Sequence, residues 1–231
     1  MSDTDNNTSI KRNPPLVIIT ATHLEAAPLL DILQLSQIEK EPCPLYRRGG
    51  IVLAIAGIGK ANAAIAATYC CATFRPGWVL NVGAAGATDS RCPLGGFFHV
   101  TRTFEPDRPG LRSGEPYVQT PEVLQGFAEA TLATHDRPII TREDRKRVSV
   151  YASLVDMEGA AIVQAAHRFG VYCALFKFVS DTTDAIDVSE AIAYIGERGK
   201  AFSRFLSEQV IPRLTTAFSP DAGIAQGLIE K

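Results

Sequence analysis

Four short runs, "PLVIITAT" (15–22), "IVLAIA" (51–56), "WVLNV" (78–82) and "GVYCALFKFVSD" (170–181), are apolar almost throughout instead of alternating with polar residues. A strand apolar on both sides must be covered on both faces, which parallel sheets flanked by helices provide and half-solvated hairpin sheets do not. Helical patterns stand between the runs. "HLEAAPLLDILQL" places Leu24, Leu29, Ile32 and Leu33 on one face, an Ala-rich segment follows the glycines after residue 56, and a helix starting near Met157 precedes the last run. The closing "DVSEAIAYIGERGKAFSRFLSEQVIPRL" is amphipathic and reads as a final long helix. This order predicts an α/β fold with a mainly parallel sheet.

The 231 residues, 46% of them hydrophobic, suffice for one large core, so a single domain over 14–217 is expected between tails at 1–13 and 218–231 that are poor in large apolar side chains. A net charge of −2 gives no reason to expect nucleic acid or an anionic membrane as partner, and no apolar run reaches membrane-spanning length. The five cysteines are odd in number and contain no C-x-x-C pair, which argues against a zinc site and a disulfide framework. With an N-terminus lacking the apolar core of a signal peptide, the expected location is cytoplasmic, with reduced thiols. The segment "TFEPDRPGLRSGEPYVQTPE" (103–122) carries four prolines and reads as a surface loop or excursion.

In α/β sheets ligands bind beyond the carboxyl ends of the strands. That rule selects residues 22–25, 57–60, 83–86 and 180–184. Glu25 and Asp181 are among the carboxylates that fall there, and two more, Asp156 and Glu158, open the small, apolar run "SLVDMEGAAIVQAAHRFG" (153–170). A carboxylate entering apolar surroundings must find donors. Each has a plainer explanation: Glu25 as a first-turn glutamate favoured by the helix dipole, Asp181 as a turn cap. "AGIGKANAA" completes neither nucleotide-binding fingerprint and suits a tight turn, and "NVGAAGA" suits close backbone approach to a ligand or a small-residue turn. No cofactor is expected, and the four histidines have no metal-binding spacing; only His23 lies near a candidate site. "REDRKR" (142–147) mixes signs and reads as a solvated face.

Taken in order, "TATHLEAAPLL", "AIAGIGKANAA", "VLNVGAAG…PLGGFFHV", "VDMEGAAIVQAAHRFGV" and "FVSDTTD" resemble the nucleoside phosphorylase/hydrolase superfamily, especially its methylthioadenosine/S-adenosylhomocysteine nucleosidase and futalosine hydrolase branches. V-[DE]-M-E-[GA]-A is the most specific element. The resemblance implies a three-layer α/β/α sandwich with a central mixed, mainly parallel sheet, assembled as a homodimer or higher homo-oligomer, acting on a purine nucleoside without metal or cofactor. It implies that Glu25 activates the attacking water, that Glu158 holds the ribose hydroxyls, and that Asp181 bonds the purine and helps protonate N7. Asp156, Met157, Ala84, Gly86 and Ser180 are expected to bind substrate beside them.

Cleaving an N-glycosidic bond builds positive charge on the sugar and negative charge on the departing base, so carboxylates at these places suit the chemistry. Two departures from the family pattern shape the expectation. Alanines at 84 and 85 remove the hydroxyl a phosphorylase uses for phosphate, which favours water as nucleophile. The segment before Val155 is short and charged, leaving Tyr151 or Val150 to replace the usual base contacts. Asp181 accepts from an exocyclic amine, which favours adenine release over hypoxanthine. The expected function is a nucleosidase for a 5′-substituted adenosine; the rivals are a purine nucleoside phosphorylase, a futalosine-type hydrolase, and a nucleoside-binding protein with a degenerate site.

Overall fold

Runs rich in Val, Ile, Leu and aromatic residues fill both faces of a pleated strand, and here they do. The computed structural model describes residues 13–183 and 188–216. Its first half runs β1 (Leu16–Thr20), α1 (His23–Leu33), β2 (Ser36–Glu39), β3 (Leu45–Arg48), β4 (Ile51–Ile55), α2 (Lys60–Phe74) and β5 (Trp78–Ala87). Then come β6 (Phe97–Pro109), β7 (Pro116–Gln119), β8 (Glu129–Thr134), α3 (Arg142–Val148), β9 (Leu154–Asp156), α4 (Gly159–Arg168), β10 (Tyr172–Asp181), α5 (Val188–Phe205) and α6 (Ile211–Thr216). A π-helical stretch, Leu206–Val210, joins the last two helices. The expected tails lie outside the described residues, apart from Asn13.

The four apolar runs pair in parallel, in the order β4–β1–β5–β10. Their alternating side chains divide the core. Val17 and Ile19 join Val52, Ala54 and Val79 in a cluster with Ala63, Ala66 and Ala67 of α2 and Ile162, Val163 and Ala166 of α4. Leu16 and Ile18 join Leu53, Leu80 and Phe176 in a second cluster, with Leu29 of α1, Phe202 of α5 and Leu206 of the π-helical stretch. The period-2 geometry of a strand puts these clusters on opposite faces.

The sheet is mixed, and helices pack against it; its longest ladder, β5 with β10, is parallel. Among the described residues five strand pairings are parallel and five antiparallel. Two features produce this. The short strands β2 and β3 add an antiparallel extension beyond β4. On the other side the sheet curls into a closed ring, β5–β10–β6–β8–β9 and back to β5, where an open sheet is expected from the sandwich reading.

The proline-rich segment is an excursion with strands of its own and not a plain loop. Its first part is the end of the 13-residue β6, and Pro116–Gln119 is β7, so the supposed loop is a hairpin. Its turn is closed by Gly110 N–H to Glu115 O at 2.8 Å. Pro106 and Pro109 are tolerated because the β6–β7 register slips between Glu105 and Pro109, and a proline is accommodated at such an irregularity without loss of a ladder bond.

Phe176 is fully buried, stacked on His99 at 4.4 Å between centroids and edge-on to Phe127 at 4.9 Å. Phe176→Ala is expected to cost about 3–5 kcal/mol of stability, read from urea denaturation midpoints. A loss below about 1 kcal/mol would mean that the surrounding rings collapse into the space.

Candidate active site

Thr22 has extended backbone angles and caps α1, its side chain accepting from Glu25 N–H at 3.3 Å. Glu25 closes the reciprocal half of a capping box, Oε2 accepting from Thr22 N–H and from Thr22 Oγ1, each at 2.9 Å. The plainer explanation of Glu25 therefore holds as far as it goes. Its other oxygen, Oε1, leaves the helix and accepts from Ala84 N–H of β5 at 2.9 Å. A Cβ on Gly83 would lie 2.5 Å from that oxygen, so glycine is required there for the approach.

The stretch 83–86 is strand, not turn. It stays paired with β10 through Gly83↔Lys177, Ala84↔Phe178, Ala85↔Val179 and Gly86↔Asp181. A Cβ on Gly86 would stand 2.8 Å from Arg145 Nη2 and 3.0 Å from Asp181 Oδ2. The small residues thus admit side chains of this protein from two directions.

Asp156 and Glu158 have different surroundings. Asp156 Oδ2 accepts from Lys177 Nζ at 2.9 Å and from Gly159 N–H at 2.8 Å, and Oδ1 accepts from Thr134 Oγ1 at 2.7 Å. The side chain is 1% exposed, so donors from the protein itself satisfy this carboxylate. Glu158 stands at the start of α4 without capping it by side chain; Oε1 crosses instead to Gly59 N–H at 2.8 Å. Burial, and then the neighbouring Asp156, push its carboxyl up to about 7, against the pull of Lys177 and the Gly59 N–H. Burial works to lower the Lys177 ammonium, but Asp156 and Glu158 outweigh it and raise it.

Asp181 is held by its neighbours. Ser180 Oγ donates to Oδ1 at 2.6 Å, and the Arg145 guanidinium pairs with Oδ2. Arg145 also donates from Nε to Ile139 O at 3.0 Å and from Nη1 to Ala87 O at 2.8 Å. The "REDRKR" run is therefore not a uniform solvated face: it forms α3, and Arg145 and Val148 are buried while the rest is exposed or half-buried.

All eight candidate residues, Glu25, Ala84, Gly86, Asp156, Met157, Glu158, Ser180 and Asp181, line one cavity of about 300 Å³. His23 is exposed and outside its lining. Beside Thr22 and Arg145 the remaining wall is mostly aliphatic, formed by Ile58, Ile139, Ile140, Val155, Ile192 and Ile195 among others, and among the described residues it holds no aromatic ring. Tyr151 and Val150 do not take the place of the shortened segment: Tyr151 packs near Phe104, Val150 is exposed, and neither lines the cavity. Residues 138–140 stand there instead. Among the described residues no group of three or more His, Cys, Asp or Glu could hold a metal ion.

Lys177 and Arg145 are the charged residues of this region that the sequence reading passed over. Signals existed for both. A lone lysine in a ten-residue apolar strand must be buried with a partner, and Arg145 shares its helix face with Val148 at the i, i+3 spacing.

A family model described as the phosphorylase superfamily matches residues 15–209. A 5′-methylthioadenosine/S-adenosylhomocysteine nucleosidase of Staphylococcus carnosus is 27% identical over 184 residues, 69% of this chain and 81% of its own. The nucleosidase of that name from Helicobacter pylori, crystallised with butyl-thio-DADMe-Immucillin-A, superposes with a TM-score of 0.74 at 19% identity, over 84% of this chain and 97% of its own. The futalosine hydrolase of Helicobacter pylori gives 0.73 at 19%, over 84% and 95%.

A carboxyl whose folded value is raised favours the folded state fully below its unfolded value, near 4.5, and loses that contribution as pH climbs through about 7. Glu158→Gln is therefore expected to flatten the decline in stability between about pH 5 and 7.5 relative to the parent. Urea midpoints across that range check it, and parallel curves for the two proteins would refute the raised value.

Proposed function

The chain belongs to the phosphorylase superfamily, and from that premise we propose that it is a purine nucleosidase, hydrolysing the N-glycosidic bond of a 5′-substituted adenosine such as methylthioadenosine or adenosylhomocysteine. The observation that carries this is the convergence of Glu25, Glu158 and Asp181, from three separate strand ends, on one cleft with largely aliphatic walls. Such a wall suits a purine and an apolar thioether, and the carboxylates suit a reaction that separates charge.

In this reading Glu25, fixed by Thr22 and Ala84, takes a proton from the attacking water. Glu158 accepts from the ribose hydroxyls and offsets the positive charge growing at the sugar. Asp181, braced by Ser180, engages the leaving purine. Met157, Ala84 and Gly86 shape the walls, and Asp156 braces the start of α4. Residues 14–217 act as one domain, with α/β/α layering on the side of the sheet away from the ring; the division of the core into two clusters supports that. We place the protein in the cytoplasm, where its five buried, unbridged thiols stay reduced, and as a homo-oligomer, for which the exposed Ile58 and Ile65 offer apolar contact.

Incubation with methylthioadenosine, adenosylhomocysteine, adenosine and inosine, with and without phosphate, tests this by chromatography of free base. Adenine is expected without phosphate, with Glu25→Gln lowering kcat by about 10²–10⁴ and Asp181→Asn also lowering turnover. Undiminished turnover by Glu25→Gln, or release that requires phosphate, would overturn the reading.

A further inference from the structure

The base end of the cleft holds a buried cation that the roles above leave unused. Arg145 comes from α3, its side chain is 4% exposed, and it lines the same cavity as Asp181. Its planar guanidinium carries five N–H groups. Nε–H goes to Ile139 O, Nη1 donates to Ala87 O and, at 3.5 Å, to Asp181 O, and Nη2 pairs with Asp181 Oδ2. Among the described residues the second Nη2 proton has no acceptor. Each Asp181 oxygen, with one donor apiece from Ser180 and Arg145, keeps a lone pair. An acceptor and a donor therefore stand side by side, fixed by backbone carbonyls of β5 and of the loop before α3.

Adenine presents the matching pair on one edge, a donor at the 6-amino group and an acceptor at N7. A 6-oxopurine presents two acceptors there and sets its oxygen against the carboxylate. We propose, resting on the nucleosidase reading, that Arg145 and Asp181 together read the 6-amino/N7 edge of the leaving base, Asp181 accepting from the amine and Arg145 donating to N7. Arg145 is then a catalytic residue of the departure step.

As water oxygen bonds to C1′ and its proton passes to Glu25, the C1′–N9 bond breaks and its electron pair stays on the purine. The Arg145 hydrogen bond at N7, from a side chain that is itself buried, stabilises that charge. The departing base takes its proton from solvent, and Glu25 returns its own to solvent, so the balance closes on neutral adenine. The Asp181 carboxyl need not be a proton donor.

The test compares dissociation constants for methylthioadenosine and its 7-deaza analogue, which has C–H in place of N7, in the Glu25→Gln background to suppress turnover. The N7 ligand is expected to bind about 10-fold tighter or more, a difference of about 1.4 kcal/mol. Adding Arg145→Gln should bring the ratio close to one, whereas adding Asp181→Asn should keep it while relaxing the preference for a 6-amino over a 6-oxo base. A ratio that survives Arg145→Gln and vanishes in Asp181→Asn would overturn the proposal and make Asp181 the N7 donor. If Arg145→Gln does not fold, Arg145→Lys keeps the buried charge but not the planar fork, and an unchanged ratio there overturns it equally. Binding of neither ligand by Glu25→Gln, in folded protein, would sink the nucleosidase reading itself, and this inference with it.

Discussion

Lys177 rises from the middle of β10 and Asp156 ends β9, and their charged atoms meet at 2.9 Å with both side chains all but sealed from solvent. These strands are on opposite sides of β5 in the closed ring, so the ion pair spans the ring from within. Removing one partner of such a pair strands a buried charge, at a typical cost of about 3–5 kcal/mol. Neighbouring residues fit around it. Gly83 is in register with Lys177, and a Cβ on Gly159 would lie 3.0 Å from Asp156 Oδ2 and 2.6 Å from Leu132. Thr134, which donates to Asp156, in turn accepts from Ala160 N–H at 3.0 Å and so fixes the first turn of α4.

That arrangement places Glu158 between a neutralised pair and an aliphatic cleft. Lys177 is closest to Asp156 and only partly offsets Glu158, which is why burial dominates and its carboxyl rises. At the other end Arg145 and Asp181 form a second neutralised pair. In the proposed reaction positive charge grows beside Glu158 and negative charge beside the guanidinium, where each meets a group of opposite sign.

The parallel strands and the gathering of the carboxylates were legible in the sequence because each apolar run is long and each carboxylate directly follows or precedes one. The ring was not. Its closure depends on β6, whose prolines imitate a loop, and on β9, whose three residues are too few to show a period. The two cations were missed for a related reason: charge in "REDRKR" was judged by the run as a whole, while burial acts on one side chain at a time. Asp156 was read as waiting for a sugar because its donor, Lys177, is 21 residues away in sequence.

The choice between water and phosphate follows from where the donors of β5 and α3 are spent. A phosphate entering the cleft needs N–H groups and uncompensated positive charge. Ala84 N–H already serves Glu25, the hydroxyl that could replace it is absent at both Ala84 and Ala85, and Arg145, its charge paired with Asp181 and its other N–H groups on the Ile139, Ala87 and Asp181 carbonyls, keeps a single N–H to offer. A dianion would meet Glu25 and Glu158 with one cation nearby that is already balanced. Water needs none of these donors, only an acceptor for its proton, and Glu25 is held in place by the N–H that a phosphate would have claimed.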